Sequence, residues 1–174
     1  MFTLFFLFAL AQPLMLDMGE GKAGSDWYII NDGVMGGRSS SSFDLKKDHL
    51  HFAGTISLEN NGGFASLRSP WNKYNLKGKK SVTIKARGTG GQFSLILEKN
   101  REWWLPTYKY TFEPTSEWQE FTVDLKDLVE YTVQGKTGKK LGKDGIEDII
   151  RIGIIKYDGK AGPFELEIDE LIFQ

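Results

Sequence analysis

Two glycine-rich segments hold the polar side chains best suited to bind a ligand or a partner. The first is NDGVMGGR at 31–38, and the second is NGGFASLR at 61–68. Glycine permits positive φ angles and close backbone approach, aspartate accepts bonds from nearby amides, and arginine donates to anionic or hydroxyl-rich ligands. One hypothesis is that both segments are structurally required turns. The other is that they form one binding surface, with candidate binding residues Asp32, Met35, Arg38, Asn61 and Arg68.

Aromatic side chains cluster in EKNREWWLPTYKY at 98–110. If Trp103 and Trp104 lie in a strand, they point to opposite faces, so one of them is exposed there or in a loop. Exposed aromatic side chains indicate a site for a ligand or a protein partner, and their rings can stack on sugars. Trp103, Trp104 and Tyr108 are therefore further candidate binding residues, and core packing is the alternative interpretation.

Several classes of chemistry have no support in these residues. The chain has no cysteine, its glycine-rich runs lack the Lys-Ser/Thr of a P-loop, and no serine lies in a nucleophile motif. A net charge of −1 argues against nucleic acid as a partner. We predict a protein that is not an enzyme, carries no cofactor and binds no nucleic acid.

The elements that position these residues are predicted to be strands. Apolar residues alternate with polar ones in about ten short runs, for example Val82-Ile84-Ala86 and Phe121-Val123-Leu125. This pattern is typical of an all-β sandwich, and 174 residues suit one domain. We expect a single-domain jelly-roll β-sandwich over 13–174.

Four local features are predicted within that sandwich. Asn61-Gly62 favours a tight hairpin turn, and a reversal of apolar parity around Asp169 indicates a β-bulge. The stretch 125–131 is the best candidate for a short helix. The stretch QGKTGKKLGKDG at 134–145 is predicted to be a loop with solvated lysines.

The N-terminus carries the apolar run MFTLFFLFALA. A short apolar run ending in small residues is typical of an export signal, so residues 1–12 are predicted to be a leader and the domain to be periplasmic or extracellular. If the run is not a signal, the domain is cytoplasmic. No stretch reaches the roughly 20 apolar residues of a transmembrane helix, so no transmembrane segment is expected.

Both glycine-rich segments, in this order and after Phe52-Ala53-Gly54, resemble the complex I intermediate-associated protein 30 family. The resemblance extends over about 13–174. It implies a galactose-binding-like jelly roll, a fold shared with some carbohydrate-binding modules, and eukaryotic members assist assembly of respiratory complex I. It also implies a weak candidate for structural calcium at Asp169, where related jelly rolls have an acidic residue.

Two functions follow from the residues and the resemblance together. The first is a non-catalytic, chaperone-like assembly domain that engages a protein partner through the two glycine-rich segments and nearby aromatics. The alternative is a carbohydrate-binding module that stacks a glycan on an aromatic-lined face. A flat exposed patch at the glycine-rich segments would favour the first, and an aromatic-lined groove would favour the second.

Overall fold

A computed structural model describes residues 12–174, so the predicted leader lies outside the described residues except for Gln12. Alternating runs form antiparallel strands because each can bury one row of apolar side chains. The strands are β1 (Leu14–Asp17), β2 (Tyr28–Asn31), β3 (Ser40–Leu45), β4 (Leu50–Ile56), β5 (Ala65–Arg68), β6 (Ser81–Thr89), β7 (Phe93–Glu98), β8 (Thr107–Phe112), β9 (Gln119–Asp124), β10 (Val129–Thr132), β11 (Gly135–Lys140), β12 (Arg151–Lys156) and β13 (Gly162–Phe173).

These strands form two antiparallel sheets, which confirms the predicted all-β sandwich. One sheet has the order β3-β4-β13-β6-β9, with β1 also beside β13, and the other has the order β11-β10-β8-β7-β12-β5-β2. The helical segments are single 3₁₀ turns of three or four residues. None of the helices in residues 12–174 has the length or the apolar character needed to cross a membrane.

The core lies between the sheets and contains the apolar rows that the alternation predicts. Val82, Ile84 and Ala86 of β6 are fully buried, as are Leu95 and Leu97 of β7. A chain of edge-to-face aromatic contacts crosses this core, because Phe164 of β13 meets Phe52 at 5.0 Å and Phe93 at 5.9 Å. The two sheets are therefore fixed relative to each other by one packed interior.

The predicted bulge in the last strand is confirmed. The register of β13 against β6 shifts between Ile168 and Glu170, which returns Leu171 and Phe173 to the core side. The displaced Asp169 carbonyl accepts a hydrogen bond of 2.8 Å from the Met18 amide.

The predicted hairpin at Asn61-Gly62 is wrong. The strands on either side belong to different sheets, since β4 pairs with β3 and β13, whereas β5 pairs with β12 and β2. Positive φ angles do occur in this turn, at Asn60 and Asn61. Gly62 has a φ of −72°, so the positive φ angles predicted for the Asn-Gly pair occur only at Asn61, and the turn carries the chain from one sheet to the other.

One of two other local predictions needs correction. The short helix predicted in 125–131 is one 3₁₀ turn, Leu125–Asp127, after which the chain enters β10. The predicted loop 134–145 contains β11, which pairs with β10 as a hairpin. Its lysines are exposed, as predicted, because β11 is the edge strand of its sheet.

Candidate functional site

The Asp32 carboxylate joins the two glycine-rich segments. Its Oδ2 accepts hydrogen bonds from the amides of Gly63 (2.6 Å) and Phe64 (3.2 Å) and from the Ser39 hydroxyl (2.5 Å). Its Oδ1 accepts the Ser39 amide at 2.9 Å. The segments therefore lie side by side, as the hypothesis of one surface requires. Asp32 itself is fully buried and holds the loops, so it does not face a ligand.

Close backbone packing completes this junction. A methyl group on Gly62 would lie 2.5 Å from Asp32 Oδ2, and one on Gly37 would overlap the carboxylate even more closely. The side-chain amide of Asn60 donates a hydrogen bond of 3.2 Å to the Gly36 carbonyl. Burial alone would raise the pKa of Asp32, but the bonds from Ser39, Gly63 and Phe64 outweigh it and lower the pKa below 3.8. The charged carboxylate is thus the form that the loops stabilise.

The loops held in this way present apolar side chains to solvent. Val34 is 74% exposed and Met35 60% exposed, and Leu58 is also exposed on the neighbouring turn. We call the surface formed by these three residues the loop patch. Arg38 lies at the same end of the molecule but forms an exposed ion pair with Glu59 at 2.8 Å, and Asn61 is exposed. Met35, Arg38 and Asn61 are therefore accessible to a partner.

Arg68 does not belong to this surface. It lies at the far end of β5, three residues beyond the strand position that pairs with Asn31. There its Nη1 lies 2.9 Å from Glu98 Oε1, while Arg151 Nε is paired with the other oxygen of Glu98. The predicted pairing of Arg38 and Arg68 on one binding surface is wrong, because the direction of β5 separates them.

Arg68, Glu98 and Arg151 form a buried charge cluster on the outer face of the seven-stranded sheet. Arg68 Nε and Nη1 have no partner in hydrogen-bond geometry within the described residues. Burial lowers the pKa of Arg68, Glu98 opposes this effect, and Arg151 adds to it. Arg151 also donates to Tyr28 Oη at 3.2 Å and lies 4.0 Å from the Trp71 ring. The cluster contains more positive than negative charge.

A groove of about 340 Å³ adjoins this cluster on the same face. Lys109 of β8 lies in it, with Nζ 4.7 Å from the centre of the Tyr131 ring and 5.9 Å from that of Tyr157. The groove also adjoins the loop patch, because Leu58 and Tyr157 both pack beside Gly63. Its lining comprises Gln92, Ser94, Lys109, Thr111, Tyr131, Thr132, Val133, Gly135, Ile155, Tyr157 and Asp158.

A larger cavity, of about 580 Å³, lies beside the start of β6 and the end of β9. Lysines and carboxylates line it, and several of them pair with each other, for example Lys77 with Glu147 at 3.2 Å and Lys126 with Asp124 at 2.9 Å. No aromatic side chain is among its described lining residues. Its lysines outnumber its carboxylates, and these residues offer no aromatic stacking surface.

The predicted aromatic residues separate into two environments. Trp103 and Trp104 lie in the turn between β7 and β8, where both are exposed and their rings meet edge to face at 5.9 Å. Tyr108 packs against the core and bonds Glu130 at 3.3 Å. Tyr108 thus faces the interior of the sandwich, and its predicted role in stacking is wrong.

Asp169 forms an ion pair of 2.6 Å with Lys85. A calcium ion at Asp169 would have to displace this ammonium, and structural calcium there stays a prediction. Within residues 12–174, no group of three or more His, Asp or Glu side chains is placed to hold a metal ion.

Sequence patterns did not single out Lys109, Tyr131, Tyr157, Glu98 or Arg151. The available signal was alternation, since β7 places Ser94, Ile96 and Glu98 on the face opposite Leu95 and Leu97. A carboxylate and two arginines facing outward from neighbouring strands would have indicated the cluster. That inference required the strand order β7-β12-β5, which sequence alone does not provide.

Solved structures with a similar fold include carbohydrate-binding modules. The family 11 module of the cellulase Lic26A-Cel5E of Clostridium thermocellum matches with a TM-score of 0.68 and 14% identity, over 94% of this chain and 95% of that one. The family 11 module from the same organism in complex with a β-1,3-1,4-mixed-linked tetrasaccharide matches with a TM-score of 0.62 and 16% identity, over 92% and 94%. At these identities the likeness shows the fold.

A comparison with curated protein sequences gave no match. A family model described as complex I intermediate-associated protein 30 matches residues 16–168. This range includes both glycine-rich segments, the buried charge cluster and all of the groove. The match confirms the resemblance seen in the two segments, and the chain belongs to the complex I intermediate-associated protein 30 family.

Proposed function

We propose that this protein is a non-catalytic binding domain that engages a protein partner through the loop patch. The observation that carries the proposal is the exposure of Val34 and Met35 on loops that the buried Asp32 carboxylate holds together. Apolar side chains exposed on a fixed surface are typical of protein interfaces, and methionine is enriched there. The name of the family, which describes association with an assembly intermediate, supports the same function.

The absence of catalysis is part of this proposal. The carboxylates nearest the groove are already paired, Glu98 with Arg68 and Arg151, and Asp158 with Lys156 at 2.5 Å. A general acid or base needs a proton that it can exchange with a substrate. Burial would raise the pKa of Asp158, but the bonds from Lys156 and the Gln92 amide outweigh this effect and lower it. Their arrangement therefore favours binding over chemistry.

Crosslinking and affinity capture from the native cells test the proposal. The variant Val34→Ser/Met35→Ser should lose a partner that the wild-type protein captures, because it removes apolar contact area without touching Asp32. Met15→Ser is the matched control, since Met15 is similarly exposed but lies on β1, outside the loop patch. A partner retained by the double variant would contradict the proposal.

The capture is performed separately on envelope and cytoplasmic fractions, because export of the domain remains a prediction. Partners identified by mass spectrometry are then captured in the reverse direction. A partner that appears with wild type and Met15→Ser, and is reduced at least about tenfold with Val34→Ser/Met35→Ser, supports binding through the loop patch.

A second candidate function is glycan binding in the groove. The specific observation in its favour is the pair Tyr131 and Tyr157, which border the groove together with the hydroxyl groups of Ser94, Thr111 and Thr132. Aromatic rings stack on sugar faces, and hydroxyls exchange hydrogen bonds with sugar hydroxyls. The fold that this chain shares with carbohydrate-binding modules, one of them solved with a tetrasaccharide, supports the same candidate.

A further inference from the structure

Lys109 is an unpaired cation inside the groove. Its ammonium is flanked by the Tyr131 and Tyr157 rings, and it forms no ion pair with any carboxylate of residues 12–174. Burial lowers the pKa of Lys109, Arg68 lowers it further, and Glu98 partly offsets both effects. A lysine that gives up hydration without an ion-pair partner is costly for stability, which is why such groups cluster at functional sites.

The charged residues behind Lys109 do not neutralise its ammonium either. Glu98 is shared between Arg68 and Arg151, so it cannot neutralise both of them and Lys109 as well. The other carboxylate in the groove, Asp158, is paired with the buried Lys156 and also accepts the Gln92 amide at 3.2 Å. The groove therefore presents a net positive potential to whatever occupies it.

The remaining lining residues match an uncharged, polyhydroxylated body. Ser94 and Thr111 place their hydroxyls 2.9 Å apart on the floor, and Tyr131 and Tyr157 supply ring faces and edges. The volume of about 340 Å³ lies in the range of small-molecule sites. A ligand that satisfies both the positive charge and the hydroxyl-rich lining is a sugar that carries a carboxylate.

We propose that the groove binds an acidic saccharide, such as a uronic-acid-containing glycan, with its carboxylate against the Lys109 ammonium. This inference rests on the second candidate function, glycan binding, and is independent of partner binding through the loop patch. Arg68 lies behind Lys109 and acts as a positioning residue, because its buried nitrogens keep the surroundings positive without reaching the ligand.

Isothermal titration with digalacturonate and with its dimethyl ester tests the charge directly, since the two probes differ only in the carboxylates. Wild type should bind digalacturonate at least about tenfold more tightly than the ester, the effect of one charge-assisted hydrogen bond. Lys109→Met should abolish that preference, and Lys109→Arg should keep most of it. Lys47→Met, at an exposed turn outside the groove, should behave as wild type.

The outcomes distinguish the selectivity for acidic saccharides from glycan binding in the groove as such. Equal affinity for both probes, or a preference that survives in Lys109→Met, would overturn acidic selectivity while leaving glycan binding intact. Failure of the folded wild type to bind either probe would overturn glycan binding in the groove. Acetate that binds as tightly as digalacturonate would overturn the saccharide assignment. Circular dichroism spectra in the amide region establish that each variant is folded before it is titrated.

Discussion

The Asp32 carboxylate accepts a hydrogen bond of 2.6 Å from the Gly63 amide, 31 residues further along the chain. Together with the bond from the Phe64 amide, it connects the two glycine-rich segments, and it explains why each of them contains glycines. Backbone amides can converge on a buried carboxylate only where side chains do not intervene. The geometry of the loop patch thus depends on a charge that the patch itself does not expose.

Asp32→Asn should destabilise the protein by about 3 kcal/mol. The substitution replaces a charged acceptor of four hydrogen bonds with a neutral amide whose NH₂ group faces donors, and unsatisfied buried groups cost about 1–3 kcal/mol each. Urea denaturation followed by tryptophan fluorescence measures the change. Asp44→Asn, at an exposed position in β3, is the control and should stay within about 0.5 kcal/mol of wild type. Equal stability of the two variants would refute the role of Asp32.

Acid should remove the contribution of Asp32. Its pKa is lower in the folded protein than the ordinary 3.8, so its stabilising effect is fully present above 3.8 and is lost as the pH falls through the lower folded value. The difference in unfolding free energy between wild type and Asp32→Asn should therefore shrink steadily below about pH 4. Urea titrations from pH 6 to pH 2.5 give this difference directly, and a constant difference across that range would contradict the assignment.

Gly37→Ala should destabilise the protein by about 1–3 kcal/mol, because its methyl group would overlap the buried Asp32 carboxylate. Gly33, four residues earlier in the same loop, has open space at the corresponding position. Gly33→Ala should therefore be nearly neutral. Thermal denaturation of both variants compares two identical substitutions in one segment. A smaller loss of stability for Gly37→Ala than for Gly33→Ala would contradict the packing described here.

Much of the fold could be predicted because period-two alternation reports burial directly. The rows in β6, β7 and β13 lie in the core, including the parity reversal at Asp169. The edge strands β3 and β11 were not recognised, since SSSFDL and GKTGKK have little apolar alternation. Such strands form because a neighbour supplies backbone hydrogen bonds, and no local pattern records that neighbour.

The candidate site could be predicted only in part, for a related reason. One of the two hypotheses about the glycine-rich segments requires them to meet, and Asp32 brings them together. Arg68 was assigned to the same surface because it closes the second segment, yet it lies at the far end of β5, opposite Gly153 in the middle of β12. The groove combines the consecutive strands β7 and β8 with β10, the start of β11, and β12, which follow later in the chain. Sites of this kind depend on strand order, which composition and spacing do not determine.

Glu98→Gln should be among the most destabilising single changes on the outer face of the seven-stranded sheet. Glu98 is the carboxylate shared by Arg68 and Arg151, and all three side chains are largely buried. Removing one partner of a buried ion pair costs about 3–5 kcal/mol, because the remaining charge stays desolvated without compensation. Urea denaturation measures the loss, and Glu117→Gln, in the exposed turn before β9, should cost less than about 0.5 kcal/mol.

A double-mutant cycle distinguishes lost charge compensation from a general disturbance of the sheet. Arg68→Met removes a guanidinium whose Nε and Nη1 have no hydrogen-bond partner in the described chain, so it should cost less in the Glu98→Gln background than in the wild-type background. The expected coupling between the two residues is about 1–3 kcal/mol. Strictly additive effects would mean that Glu98 stabilises the sheet through contacts other than its charge, and the buried cluster would then not explain the positive potential of the groove.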